Sequence, residues 1–541
     1  MKQYLVTASE MKQYDYNTIE KYHIPALVLM ERAALVTVEE IQRVWGNIPG
    51  RILVVSGCGN NGGDGLAIGR LLLLEGCDVT FVLLGNRENC TEETKRQIDI
   101  LMEYKVQIFS TMQNGEYDIV IDAVFGVGLS RDVEGIYLDA IKWMNRTNAH
   151  VCSVDIPSGI HADTGEIMGD AVYADMTVTY GFRKLGHVLY PGTIYSGELV
   201  CRRMGIDEHS FLDTKPFWYT HVGYDSRLLP PRRPDGNKGS FGKALLIVGE
   251  HCTAGAAMMA AKSTFRIGAG MVKVVTAVEN RESLLQFVPE AMLLTYTDST
   301  TGEAEEDNVR HGKFMQELKA AESWADSILI GPGIGMGERA HEMLRFCIEE
   351  SSLPLVIDAD GLNHLAKDMQ LQELLTDRKE QDRIVILTPH LGEFARLYGC
   401  SVAQAKEGLT DYPRQLSEKL HCIIVCKDAR SVVVCPGGEQ GYLNTTGNAG
   451  MATAGSGDVL AGMITGLLAQ RMTGDEAAVA GVYLHGIAGN LAAEKETETF
   501  MTATDIIDSI KDVILLQQNR IGQSGLEKRY HEKLSKSLCR D

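Results

Sequence analysis

The sequence lacks a C-x-x-C pair, a long apolar run and any surplus of positive charge, and each absence narrows what the chain can do. Its 12 cysteines are scattered. Cys422 and Cys426 could share one face of a strand, but no second ligand pair follows. A zinc site is therefore disfavoured, and small buried hydrophobes in a reducing cytosol are expected. No segment approaches the roughly 18 apolar residues of a membrane span. The opening "MKQYLVTASEMKQYD" has no apolar signal core, so a cytoplasmic location is expected. The formal net charge is −20. A field of that sign repels phosphate backbones and argues against a nucleic-acid partner. It remains compatible with a small anion held by local amides.

What is present is an alternation of apolar strands and helical patterns over 541 residues, a length that at roughly 150 residues per domain implies more than one. "RILVVSG", "DVTFVLLG", "YDIVIDAVFG" and "HVCSVDIPSG" each end in a Gly-containing loop. Such near-continuous Val, Ile and Leu strands predict an α/β doubly wound domain with a parallel sheet covered on both faces. Around 221–242 the run "HVGYDSRLLPPRRPDGNKGSFG" reads as a linker. A second α/β series follows, with "KALLIVGE", "GMVKVVTAV", "SILIGPGIG", "PLVIDADG", "RIVILTPH" and "CIIVCKD". Two domains, 1–225 and 226–541, are expected. The polar, basic tail from about 517 reads as a frayed helix.

The stretch "GCGNNGGDG" (57–65) contains G-x-G-x-x-G between a strand and a helix. Two features separate it from better-known phosphate loops. Asp78 has the right separation but starts the second strand, which ends in "GNR", so the acid that would bind the ribose hydroxyls of a dinucleotide is missing. No G-K-[ST] follows. The loop does carry hard oxygen ligands suited to a cation, from Asn60, Asn61 and Asp64. Asp122, Asp155 and Ser158 stand at the ends of neighbouring strands. Each alone could be a turn cap; together at one sheet edge they mark a site. In the second half, "NTTGNAGMATAGSGDVLAGMITGLLAQ" (444–470) puts Asp458 beside Gly455, Ser456 and Gly457 at a helix start. Amides there can hold a transferring phosphoryl group while the carboxylate accepts a proton from the attacking hydroxyl. A simple helix-capping aspartate is the plainer reading of the same residues.

"GNNGGDG", "DAVFGVGLSRDVEG", "SVDIPSGIHADTG" and "IEKYHIPALVLMERAA" resemble the epimerase domain of NAD(P)H-hydrate repair enzymes, over roughly 1–220. The resemblance implies a Rossmann-like domain. Asn60, Asn61, Gly62, Gly63 and Asp64, with Gly126, Val127, Gly128, Leu129, Ser130, Arg131 and Asp132, would hold the phosphates of the hydrated dinucleotide. Asn61, Asp122 and Ser158 would bind a potassium ion, and Asp155 would act at the hydrated nicotinamide. The residue types suit epimerisation at C6. Loss of the C–O bond leaves a planar, cation-like ring that a carboxylate stabilises, and water returns on the other face. No lysine or histidine is expected to take part.

"GKALLIVGEHCTAGAAMMAAKSTFRIGAGMVKV", "ILIGPGIG", "VIDADGLNHL", "ILTPHLGEFARL" and "AGSGDVLAGMITGLL" resemble ADP- or ATP-dependent NAD(P)H-hydrate dehydratases, over roughly 235–510. This implies a ribokinase-like α/β domain. Ala254, Gly333, His390 and Asp458 would face the hydrated dinucleotide. Lys427, Asp428, Ala429, Arg430 and Ser431 would hold ADP. So would Asn448, Ala449, Gly450, Met451, Ala452, Thr453 and Ala454, together with Gly455, Ser456 and Gly457. Magnesium would accompany ADP, with Glu393 as an indirect ligand or simply a surface glutamate. "CKDARS" stands where the family carries a glycine-rich segment. The expected partners are the hydrated dinucleotides and ADP, with no membrane, and a homo-oligomer is expected. A ribokinase-like small-molecule kinase with an accessory nucleotide-binding domain is the alternative, and a non-enzymatic nucleotide-binding scaffold is a further one.

Overall fold

Strands that are apolar on both faces need helices on two sides, and the computed structural model contains two sheets built this way. It describes residues 2–46, 50–223, 228–297, 304–377 and 383–515. The chain divides into two compact units, Tyr4–Tyr219 and Met1–Gln3 with Thr220–Asp541. The expected boundary at 225/226 and the basic tail from 517 lie outside the described residues.

In the first unit a 7-stranded parallel sheet runs in the order Ile108–Phe109, Asp78–Leu83, Arg51–Ser56, Ile119–Ala123, His150–Val154, Met176–Tyr180 and Glu198–Arg202. Alternate residues of the Arg51 strand serve opposite layers. Ile52 and Val54 join Leu66, Ile68 and Phe81 on one side, while Leu53 and Val55 join Val120 and Ile141 on the other. Each such side chain contributes about 1.5–3 kcal/mol on burial. The strand order reverses between Arg51–Ser56 and Ile119–Ala123, which opens a crevice at their carboxyl ends. The register sets Asp122 beside Ser153. The helix Ala26–Trp45 buries Leu29, Met30, Ala33, Ala34, Val38 and Ile41, and leaves Leu27, Val28 and Leu35 exposed.

The second unit carries parallel strands in the order Met292–Tyr296, Met271–Ala277, Lys243–Ile247, Ser327–Ile330, Leu355–Ile357, Val385–Leu387 and Ile423–Cys426. Val432–Val434 and Gly441–Leu443 continue it antiparallel. The helix Ser456–Ala469 is buried along most of its length. It lies close against the helix Ala254–Arg266, because a Cβ on Gly462 would come within 2.2 Å of Ser263 Oγ. The described cysteines are free thiols. Among the described residues no helix is long and apolar enough to cross a membrane.

Candidate active sites

Two of the three spaced glycines of the first unit, Gly57 and Gly62, are packing residues. A Cβ on Gly57 would lie 2.1 Å from the Val124 carbonyl oxygen, and one on Gly62 would lie 1.9 Å from that of Gly57. Gly63 faces Met30 and Thr94. Gly59, alone of the three, has open space where a side chain would be. The helix begins at Asn60, so Asn60 to Asp64 form its first turn rather than a loop, and Gly59 caps it without a side chain. That start leaves amide groups of the helix N-terminus free for an anion.

The helix start opens into a cleft of about 780 Å³. Asn60, Asn61, Asp64 and Asp155 line it, as do Gly126, Val127, Gly128, Leu129, Ser130 and Arg131. Gly62 and Gly63 do not, because they are turned into the packing, and Asp132 does not line it either. Asp122 and Ser158 are fully buried beneath it. Asp122 accepts hydrogen bonds from Ser153 Oγ at 2.8 Å, the Ser158 amide at 2.9 Å and Ser158 Oγ at 2.5 Å. Burial raises its carboxyl, and these bonds hold the rise down. Ser158 Oγ accepts from the Phe125 amide at 2.9 Å, and Asn61 Nδ2 donates to the Phe125 carbonyl at 3.0 Å. Asn61 Oδ1 is buried without a hydrogen-bond partner.

Asp155 has φ +68°, a left-handed backbone that costs a non-glycine residue about 1 kcal/mol or more. The sequence led to no expectation of a lysine or histidine here, and the structure places one of each against Asp155. Lys184 Nζ donates to Asp155 Oδ1 at 2.5 Å and to Thr179 Oγ1 at 2.9 Å, and Thr179 Oγ1 donates to Asp155 Oδ1 at 3.0 Å. His187 Nδ1 accepts from the Lys184 amide, so its Nε2 carries the proton and donates to the Asp155 carbonyl at 2.8 Å. Burial alone would raise the Asp155 carboxyl; the Lys184 ammonium holds it below the usual carboxylate range. Burial also keeps His187 neutral, its pKa lowered to about 3. Lys184 and His187 come from "YGFRKLGH", just after the strand that neighbours the Asp155 strand in the sheet. The available signal was a basic pair, Arg183 and Lys184, followed by His187 at the end of an apolar strand. Asp15, also missed, lines the cleft, and burial pushes its carboxyl up to about 7. Asp64 is pushed well above its usual range by burial and then by Asp155 and Asp15.

In the second unit Gly455 adopts φ +88° and starts the helix whose first turn carries Asp458. Burial, then the charge of Asp358, raises Asp458 to about 7. Lys427 Nζ donates to Asp358 Oδ1 at 2.8 Å. A Cβ on Gly457 would sit 3.2 Å from that ammonium, so the Lys427 head lies directly against the helix start. Lys427 thus stands with the acidic group at Asp458, while Asp428, Ala429, Arg430 and Ser431 form the turn beyond it. Ala254 opens its helix next to Thr253, whose hydroxyl donates to the Gly333 carbonyl at 2.7 Å. His390 caps a helix: its Nδ1 accepts from the Gly392 amide at 3.0 Å, and the Glu393 carboxylate accepts from the His390 amide at 2.9 Å. Glu393 is buried and raised to about 7, which makes it a cap partner rather than a surface residue. Asn448 accepts from the Gly450 amide, and Ala449 to Met451 form a short turn. Ala452, Thr453, Ala454 and Ser456 complete the approach, with Ser456 buried against His485.

Two strand-end sites, each with a helix N-terminus, a carboxylate and a lysine, define a two-domain α/β enzyme of the nucleotide-handling kind. The chain belongs to the family of bifunctional NAD(P)H-hydrate repair enzymes. Residues 26–186 match the model described as YjeF-related protein N-terminus, and 244–512 match NAD(P)H-hydrate dehydratase. The bifunctional NAD(P)H-hydrate repair enzyme of Thermofilum pendens is 35% identical over 92% of this chain and 94% of its own. That of Moorella thermoacetica is 34% identical over 94% and 96%, and that of Escherichia coli is 32% identical over 85% and 84%. Among solved structures, the ADP/ATP-dependent NAD(P)H-hydrate dehydratase of Bacillus subtilis, co-crystallised with ATP/Mg2+, is 27% identical. It has a TM-score of 0.43 and covers 53% of this chain and 93% of its own.

Proposed function

We propose that the chain repairs hydrated NADH and NADPH in two steps. The first unit interconverts the R and S hydrates, and the second dehydrates the S hydrate with ADP to give the reduced dinucleotide, AMP and phosphate. The observation that carries this reading is a carboxylate in the field of a lysine at each site: Asp155 bonded to the buried Lys184 in the cleft onto which the Asn60 helix opens, and Asp458, in the first turn of its helix, near the partly buried Lys427 that Asp358 holds. At the first site Asp155, held ionised, faces the cation that forms when the C6 hydroxyl leaves. Asp15, with a carboxyl near neutrality, suits the proton that the leaving and returning water must exchange. Phosphates would rest on the Asn60 helix start and the turn from Gly126 to Arg131.

The buried, unpartnered Asn61 Oδ1 beside the Phe125 carbonyl and Ser158 fits a potassium ion, with Asp122 anchoring Ser158 and supplying charge. Potassium would order these loops. Titrating it is expected to raise the melting temperature, by about 2.7 kcal/mol of stabilisation at a hundred times its Kd. Asn61→Leu is expected to remove that rise, as thermal unfolding in potassium against a bulky organic cation will show.

At the second site Asp458 takes the proton of the C6 hydroxyl as the terminal phosphoryl of ADP transfers to that oxygen. The ring nitrogen's lone pair then expels phosphate and restores the dihydronicotinamide. Lys427, fixed by Asp358, balances the charge of the incoming phosphates. Among the described residues no cluster of His, Cys, Asp or Glu suits a metal, so magnesium would arrive on the nucleotide and offset its charge. Asp458 acts only when ionised, so the dehydration rate is expected to rise with pH through about 7 and then level off. A profile of kcat/KM between pH 5.5 and 9 measures this.

The cytoplasm is the compartment that fits free thiols and these substrates. The exposed Leu27, Val28 and Leu35 favour self-association. The direct test mixes full-length protein with R and S hydrates, ADP and magnesium, and follows the absorbance of reduced nicotinamide. Absence of recovery refutes the reading. Release of a stable phosphorylated product would favour the small-molecule kinase.

A further inference from the structure

A second cavity of about 510 Å³ in the first unit lies outside the cleft just described. It stands at the carboxyl ends of the strands Asp78–Leu83 and Ile108–Phe109. Its walls are apolar, from Leu83, Ile98 and Met102 of one flank and Ile108 and Phe109 of the other. Arg87 and Asn86 stand at its rim. The two spaces adjoin. Cys58, which lines the cleft, donates through Sγ to the Leu84 and Asn86 carbonyls, and a Cβ on Gly85 would meet both Cys58 Sγ and the hydroxyl of Tyr137, another cleft residue.

Numbered along the chain, the strands of this sheet run 3-2-1-4-5-6-7. In sheets of that order the ends of strands 2 and 3 receive the adenosine of a dinucleotide. An acid after strand 2 reads a free ribose 2′-hydroxyl, and an arginine there accommodates a 2′-phosphate. This chain has no acid at the strand end and has Arg87 four residues beyond it. The Arg87 guanidinium is held at the rim by Asp99 and lies 3.5 Å from Met102 Sδ. Both partners of that ion pair are about half exposed, with accessibilities of 48% and 52%, so the pair is weak and a phosphate dianion can recruit the arginine.

We propose that this cavity is the adenosine subsite of the epimerase and that Arg87 reads the 2′-phosphate, so that the site takes the hydrate of NADPH in preference to that of NADH. The proposal rests on the assignment of the nicotinamide end to Asp155. The dinucleotide would then run from Asp155, over the Asn60 helix start and past Tyr137, into the cavity.

Three substrates separate the parts: the hydrates of NADPH, NADH and reduced nicotinamide mononucleotide, which lacks adenosine. Epimer exchange by the full chain is followed by NMR without ADP. Arg87→Ala is expected to raise KM for the NADPH hydrate about tenfold, the loss of one charged hydrogen bond, with kcat and both other substrates unchanged. Ile108→Trp, which fills the cavity, is expected to raise KM for both dinucleotides and to spare the mononucleotide. Equal changes for all three substrates, or none for the NADPH hydrate, overturn the proposal. Should the wild type exchange no hydrate at all, the epimerase reading fails, and the cavity is still tested alone. Adenosine 2′,5′-bisphosphate should perturb the Ile108 and Phe109 methyl and ring signals of the wild type and not those of Arg87→Ala. Identical spectra in both would overturn it.

Discussion

Asp458→Asn is expected to reduce ADP-dependent recovery of the reduced dinucleotide by about 10²–10⁴-fold, the range a positioned general base contributes, while R and S hydrates continue to exchange. Asparagine keeps the shape and one acceptor oxygen but cannot take the hydroxyl proton. The variant also has a stability signature that a misfolded chain would lack. The Asp458 carboxyl is raised to about 7 in the fold, against about 3.9 for an unperturbed aspartate. A raised carboxyl favours folding where it is protonated, and this contribution is lost as pH rises from about 4 through about 7. Asparagine carries no such loss. Asp458→Asn is therefore expected to be more stable than wild type at pH 8, by roughly 2–4 kcal/mol, with no such gain near pH 4. Thermal unfolding at the two pH values, beside initial rates of dehydration and exchange, gives the whole result. An unchanged dehydration rate would remove Asp458 from the chemistry.

Asp155→Asn is expected to do the reverse: exchange of epimers falls by about 10²–10⁴-fold while the S hydrate is still dehydrated. Pure S hydrate should then be consumed at the wild-type rate, and a mixed sample should stop once its S fraction is spent. Here the fold is at greater risk. Lys184 is 1% exposed and would face a neutral amide. Removing one partner of a buried pair costs about 3–5 kcal/mol, although Thr179 and the Tyr180 carbonyl remain as acceptors. Asp155→Asn with Lys184→Met removes both charges and should recover much of that stability without recovering exchange. If either single variant, while folded, loses both activities, two independent sites are the wrong description.

The parallel sheets, the helix layers and the two acidic strand ends were legible because each is written locally, in apolar runs and in the residues that close them. The family was legible for the same reason, through ordered motifs such as "NNGGDG" and "GSGD". What the sequence concealed was made by adjacency in the sheet. Lys184 and His187 reach Asp155 only because the strands His150–Val154 and Met176–Tyr180 pair in parallel. Asp15 arrives from the first helix. Nor does the spelling G-x-G-x-x-G tell its glycines apart: Gly57 and Gly62 answer to neighbouring carbonyls and Gly59 to open space. His390 could be placed near substrate by resemblance, while its work as a helix cap depends on a turn that no motif spells out.

The strained backbone at Asp155 and the buried ammonium it neutralises also bear on how such a site can be lost. Asp155→Gly would relax the left-handed conformation but would leave Lys184 charged and without its counter-ion, so the nearest change that relieves the backbone is penalised in folding. Lys184→Met alone would leave the aspartate buried without its cation. A descendant discarding this ion pair would have to alter both positions nearly together. Folding stability therefore protects this carboxylate against drift even in a cell that seldom needs its chemistry.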